Sequence, residues 1–325
     1  MRNQRSWLAA AVLILMAALL GLTTKSGAAP PPRGKPLATQ DILRWINGYR
    51  GNPEPQKLPD MVRAMAGLGI FRDLDAAGVY IGFMAGVLGD NPAKAEKLVE
   101  RMFPIAPEDQ VAIVRAIAYS GLPNWKELLE TFVERMPARL VLIQRHLSGK
   151  APTLFALELD RSPAGLDTLW GYYFATGRHA PIDRIIGTLA WSRDANDVEK
   201  LTLGSMAKWT LANNAQRDKA LLDHLKGQLN VQPRVITREL REVIEAAETF
   251  ETTQLRKAAL GAIEELKRKG PESTRNAAWW GQAGQTALAL GCVVAGVLGH
   301  PEVGIPCVVG GAVSSAALKL WAPGQ

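Results

Sequence analysis

The chain has 325 residues, of which 47% are apolar and 21% charged, and its mean hydropathy is −0.01. Such a chain can bury a substantial core, which excludes a wholly disordered protein and a small disulfide scaffold. The formal net charge is +7, and Arg2, Arg5 and Lys25 supply three of those charges before residue 30. The remaining +4 is too small for the electrostatic footprint of a nucleic-acid-binding protein unless it is clustered, so we predict no nucleic-acid partner.

Residues 1–28 have the three-part order of a secretory signal peptide. Two arginines are followed by an apolar run, Trp7–Leu22, and then by the small residues Ser26–Ala29. The apolar run has 16 residues, fewer than the roughly 20 that a membrane-spanning helix needs, which favours cleavage near Ala28 over an uncleaved anchor. We therefore predict export to the periplasm or cell envelope.

A proline-rich linker, residues 29–37, separates this signal from a helical body, residues 38–230. The four prolines of the linker favour a stiff, extended backbone. Beyond the linker, apolar residues recur at helical spacing, which predicts an all-α fold. The predicted helices are Thr39–Tyr49, Leu58–Leu68, Leu74–Leu88, Pro92–Met102, Pro107–Tyr119, Trp125–Met136, Ala138–Leu147, Gly165–Ala175, Ile182–Trp191, Asp197–Asn213 and Arg217–Leu229.

Residues 231–277 contain a long amphipathic helix, predicted over Ile236–Lys269, and a linker. Its apolar stripe includes Ile236, Leu240 and Val243. The interspersed acidic and basic residues around it are typical of a solvated face, although they also suit a helix that pairs with a partner. These acidic residues are Glu239, Glu242, Glu245, Glu248 and Glu251.

Several helix pairs share one kind of joint, in which an apolar helix is followed by a glycine, a short polar turn and a second helix. The joints are Tyr80–Gly89 before Pro92, Val114–Gly121 before Asn124, and Leu169–Gly177 before Pro181. The segment Leu169–Gly177 resembles the first helix and turn of a tetratricopeptide-type repeat. This resemblance covers about a third of the chain and departs from the family at Pro181-Ile182, where a small residue is usual.

The resemblance implies an α-solenoid whose concave face binds a peptide or protein partner. Stacked antiparallel helix pairs in a compact helical body would produce the same joints. In that alternative the aromatic residues of the third joint belong to the core rather than to a binding groove; they are Trp170, Tyr172, Tyr173 and Phe174.

Residues 278–325 differ from the rest because Glu302 and Lys319 are their only charged residues. Two apolar stretches, Ala278–Gly299 and Val303–Ala322, flank prolines that would interrupt one continuous helix. We predict a C-terminal hydrophobic helical hairpin, and both arms approach the length that spans a bilayer.

Small residues at spacings of three and four give each arm a face on which helix backbones can approach closely, as in membranes. These helix–helix or membrane contact residues are Gly281, Gly284, Ala287, Gly291, Ala295, Gly299, Gly310, Ser314 and Ala317. Trp279, Trp280 and Trp321 fall at one end of the hairpin, which fits an interfacial aromatic belt. Packing of the hairpin onto a soluble body and binding to a partner are the alternatives. The preceding basic residues, Lys267–Lys269 and Arg275, disagree with simple insertion from outside the cytoplasm.

The two cysteines, Cys292 and Cys307, lie in opposite arms. Two states are open for this pair. An oxidising compartment permits a disulfide, but unequal depths from the turn, different by roughly 7 Å at the helical rise per residue, favour two reduced, buried thiols.

Catalytic motifs are weak in this sequence. Ser205 and Lys208 match the S-x-x-K spacing of serine β-lactamases, but the companion motifs of that family are missing from the body. The four histidines, His146, His179, His224 and His300, show no local metal-ligand spacing. We therefore predict no catalytic residue, metal or cofactor.

The function expected from these features is an exported, envelope-associated helical scaffold that binds a protein or peptide and is held at a membrane by its hairpin. Two alternatives stay open: an exported enzyme of unrecognised family, and a membrane-active protein that inserts its hairpin into a target bilayer.

Overall fold

A computed structural model describes residues 39–249 and Gly261, and in this part of the chain all regular secondary structure is helical. It confirms the predicted all-α class. Its twelve α-helices are α1 Thr39–Gly48, α2 Leu58–Gly67, α3 Gly78–Gly89, α4 Ala95–Glu100, α5 Gln110–Tyr119, α6 Trp125–Thr131, α7 Leu140–Leu147, α8 Pro163–Thr176, α9 Ala180–Gly187, α10 Val198–Ala215, α11 Lys219–Gln228 and α12 Arg234–Glu248. Short 3₁₀ helices connect them, the longest being Thr188–Arg193.

Helix starts follow local side-chain chemistry. The helix predicted from Leu74 begins instead at Gly78, because Asp73 Oδ1 accepts hydrogen bonds from the backbone N–H groups of Asp75 and Ala76, at 3.1 and 3.2 Å. That closed turn competes with helix formation. Further along the chain, Ser162 caps α8 and Asp197 caps α10 through their side-chain oxygens, each cap contributing about 1 kcal/mol.

Three helices form the centre of the core because they are buried on almost every side. All residues of α3 from Gly78 to Leu88 are buried, and so are those of α8 from Leu166 to Ala175. In α10 every residue except Lys200 and Lys208 is buried. Helices that are buried on almost every side lie inside a protein, so the remaining helices surround these three.

The closest contact in the described body joins α3 and α8, whose backbones touch. A Cβ atom on Gly82 would overlap the carbonyl oxygen of Thr168, and one on Gly171 would overlap the carbonyl oxygen of Val79. Glycine is therefore required at both positions. Gly78 faces the start of α8 and Gly86 faces its end, so the two helices run in the same direction.

Aromatic and ionic contacts attach the outer helices to this centre. The rings of Trp45 on α1 and of Tyr49, which follows that helix, meet Phe83 of α3 edge-on, with centroids 5.0 and 5.1 Å from the Phe83 centroid. At the other end, the apolar face of α12 packs against α10 and α11, burying Leu240 and Val243. Within residues 39–249 none of the helices combines the length and apolar character of a membrane span.

Several predicted features lie outside the described residues. These are the signal peptide at 1–28, the linker at 29–37, the part of the long helix beyond Thr249, and the hairpin at 278–325 with its small-residue faces, tryptophans and cysteines. They stay predictions.

Replacing Gly82 with Ala is expected to lower the free energy of unfolding by about 3 kcal/mol, since the added methyl meets backbone that cannot move aside. Gly227→Ala on α11 is the matched control, because Gly227 is exposed and has open space around its Cα; its stability should stay unchanged or rise by up to about 1 kcal/mol. Urea denaturation followed by circular dichroism measures both. Equal midpoints for the two variants would contradict the close α3–α8 contact.

Candidate functional site

Polar side chains gather where the C-terminal end of α8 meets α11, in a cluster that we call the clasp. It consists of Arg50, Tyr173, His179, Asp183, Asp218 and His224. They come from the segment after α1, from α8, from the turn before α9, from α9, and from α11 and its N-cap. Gly177 ends α8 in the left-handed conformation, with φ 67°, which turns the chain so that His179 lies over Tyr173.

The first half of the clasp is built on Asp218. Its Oδ1 accepts the backbone N–H of Leu221 at 3.2 Å and so caps α11. Its Oδ2 accepts a hydrogen bond of 2.7 Å from Tyr173 Oη and pairs with Arg50, whose guanidinium also lies 4.8 Å from the centre of the Tyr173 ring. Burial alone would raise the pKa of Asp218, but the hydrogen bonds from Tyr173 and Arg50 lower it below its usual value.

The second half of the clasp is a stacked pair of imidazoles. The rings of His179 and His224 lie with centroids 4.0 Å apart and planes 21° from parallel. His224 Nε2 is 2.7 Å from Asp183 Oδ1. Burial lowers the pKa of His179, and the neighbouring His224 lowers it further. The clasp thus joins α8, α9 and α11 through charge and ring contacts.

A buried ion cluster fastens α12 to α10. Glu239 is 1% exposed, and its carboxylate accepts hydrogen bonds from Arg193 Nε at 2.6 Å, Lys208 Nζ at 2.8 Å and Ser192 Oγ at 3.1 Å. Arg238 adds a fourth at 2.8 Å. Burial alone would raise the pKa of Glu239, but these donors lower it to about 2.

This cluster corrects one interpretation of the sequence and explains another. Glu239 does not lie on a solvated face, because it points inward between α10 and the Thr188–Arg193 helix. Lys208, the lysine of the S-x-x-K match, pairs with both Glu239 and Glu242, while Ser205 is buried. Both matched residues therefore belong to the packing of α10.

An open groove lies beside α9. Arg184 donates to the backbone carbonyls of Phe155 and Leu157, each at 2.7 Å, and so holds the segment before α8 in place. The groove between this segment and the Thr188–Arg193 helix has a volume of about 440 Å³. Arg184 itself lines this groove together with Leu157, Leu159, Trp191, Glu158 and Asp160, so apolar surface, two carboxylates and one guanidinium border the same space.

The residues that we singled out in the hairpin lie outside the described part and stay predictions. The clasp was missed at the sequence level. His179 lies in the turn before α9 and His224 lies on α11, and no spacing rule connects them. Within residues 39–249, no group of three or more His, Cys, Asp or Glu side chains is placed to hold a metal ion.

Comparisons with protein-family models, with curated proteins and with solved structures found no match to this chain. The tetratricopeptide resemblance therefore rests on the helix joints alone. The aromatic residues of the third joint are buried.

The variant Glu239→Gln should lower the free energy of unfolding by about 3 kcal/mol, at the low end for a broken buried ion pair because Arg193 and Arg238 are half-exposed. Glu245→Gln, an exposed position on the same helix, is the control and should change stability by less than about 0.5 kcal/mol.

Acid provides a second measurement on the same variant. Because the pKa of Glu239 falls from 4.5 to about 2 on folding, its contribution is complete above pH 4.5 and is lost as the pH falls towards 2. The difference in free energy of unfolding between wild type and Glu239→Gln should decrease as the pH falls from 4.5 towards 2. Denaturation at several pH values measures it. A pH-independent difference would show that the charge of Glu239 does not hold α12 against α10.

Proposed function

We propose that this protein is an exported, envelope-associated helical scaffold, whose body binds a protein or peptide and whose C-terminal segment attaches it to a membrane. The observation that carries the proposal is the uneven distribution of charge. Residues 278–325 hold only two charged residues, whereas 64 of the 69 charged residues lie between residues 30 and 277. A segment this apolar needs a bilayer, a partner or the body to cover it, and its two arms favour the bilayer.

The N-terminal segment supports export. Its basic start, 16-residue apolar run and small residues match a signal peptide better than a membrane span. The helical body supports a binding role rather than a catalytic one, since the joints between its helices resemble those of repeat scaffolds.

On the body, the groove beside α9 is the binding face that we favour. Its volume falls within the usual range for ligand sites. Trp191 offers an aromatic ring, and Glu158 and Asp160 offer carboxylates. Glu158 already pairs with Arg161, which makes Asp160 the better anchor. A peptide with apolar side chains and one lysine or arginine fits this combination.

Membrane attachment is tested by truncation after Arg275 in an export-competent host. After export, the full chain should sediment with membranes and resist a high-salt wash, whereas the truncated chain should stay in the soluble fraction, because the apolar arms are gone. Ala295→Arg within the first arm should reduce retention, since a charge in the bilayer centre costs about 3 kcal/mol. Val141→Arg, at a body position that is already 78% exposed, is the matched control. Soluble behaviour of both the full and the truncated chain would refute membrane attachment.

The groove is tested with labelled peptides of alternating leucine and arginine, compared with leucine–glutamate counterparts. Binding measured by fluorescence anisotropy should favour the arginine peptide. Asp160→Asn should weaken that binding about fivefold, the effect of losing about 1 kcal/mol of charge attraction at a partly open site. Glu130→Gln removes an exposed carboxylate from α6 and should leave the affinity unchanged. Equal binding of the two peptides, or no effect of Asp160→Asn, would count against this groove.

A further inference from the structure

The imidazole pair of the clasp is arranged in a way that depends on its charge. Two neutral imidazole rings, or one neutral and one charged ring, can stack with centroids 4.0 Å apart. Two imidazolium rings at that separation repel each other, and water screens the repulsion only in part because His224 is just 14% exposed. The observed stacking therefore suits a pair that carries at most one positive charge.

The groups around the pair can balance one positive charge more easily than two. Asp183 on α9 contacts His224 Nε2 and can balance one imidazolium. On the α8 side, His179 faces the Tyr173 ring, and the nearby Asp218 already pairs with Arg50.

At His179, burial and the neighbouring His224 lower the pKa most. The carboxylates of Asp183 and Asp218 raise it and Arg50, from the segment after α1, lowers it, so the pKa is lowered overall. On α11 itself, Asp223 pairs with Lys219 at 2.6 Å.

We propose that the stacked His179–His224 pair is an acid-sensitive contact, which holds the start of α9 against α11 at neutral pH and opens when both rings are protonated. The direction follows from linkage. The pKa of His179 lies below that of an unfolded histidine, so the open form binds more protons than the closed form. The stability that the contact contributes is complete above pH 6.5 and is lost as the pH falls below it.

Opening of the imidazole pair would affect both α9 and α11. Asp183 and Arg184 are neighbours on α9, so the helix that contacts His224 also carries the arginine that holds the segment beside the groove. On the other side, α11 begins at Asp218, the residue that Tyr173 and Arg50 hold. Release of the imidazole pair is expected to loosen the N-terminal turn of α9 and the middle of α11 before the core helices α3 and α10.

Hydrogen–deuterium exchange of the full-length protein, in detergent, at pH 7.5 and pH 5.5 tests the proposal, after correction for the intrinsic pH dependence of exchange. Peptides covering residues 180–187 and 219–226 should exchange at least tenfold faster at pH 5.5, while peptides from α3 stay unchanged. Unchanged protection in both segments at pH 5.5, or loss of protection in α3 at the same pH, would overturn a local acid-sensitive contact.

Variants identify the group responsible. His179→Phe keeps a ring that can stack on His224 but cannot take a proton, so it should abolish the acid-induced increase. His224→Phe removes the other ionisable ring and should also abolish the acid-induced increase in exchange. The test therefore remains usable if one of the two variants fails to fold. His146→Phe is the matched control, because His146 is a buried histidine on α7 whose pKa burial lowers to about 4. It should retain the acid response of α9 and α11. An acid response that survives in His179→Phe and in His224→Phe would refute the proposal.

Discussion

Direct backbone contact between α3 and α8 determines how the rest of the body is arranged. Where glycines stand at the crossing, two helices approach until main-chain atoms touch, which gains dispersion contacts but allows almost no freedom in their relative position. Because Gly82 and Gly171 fix the position of α8 against α3, they also fix where the other faces of α8 lie. Trp170 Nε1 then donates to Thr210 of α10 at 3.1 Å, and Tyr172 Oη donates to the carbonyl of Ser120 at 3.3 Å.

The clasp follows from the same placement. Tyr173 lies near the end of the constrained helix, and Gly177 stops that helix one turn later with a backbone conformation that other residues rarely adopt. The segment that follows Gly177 therefore has little conformational freedom, and it places His179 and Asp183 against α11. Arg50, far away in sequence, closes the cluster from the α1 side. A polar cluster at the edge of a rigid centre can respond to protonation locally, since parts of a protein open with different free energies.

Helix α12 shows how a correct local prediction can miss its most important residue. The apolar stripe of Ile236, Leu240 and Val243 is buried as its spacing indicates. Glu239 lies next to that stripe, and by sequence alone it looks like the other glutamates of the helix. Its burial depends on Lys208 and Arg193, which reach it from α10 and the 3₁₀ helix before it. Without those cations a carboxylate could not be buried at this position.

The sequence by itself determined the all-α class and the existence of the helices between residues 39 and 249, because helix periodicity and caps are local properties that neighbouring residues encode. It also indicated the contrast between the charged body and the apolar C-terminal segment. Only the tertiary structure decided that α3 touches α8, that His179 stacks on His224, and that Glu239 lies inside. Each of these joins elements distant in sequence, and its free energy depends on separations and burial that exist only once the chain has folded.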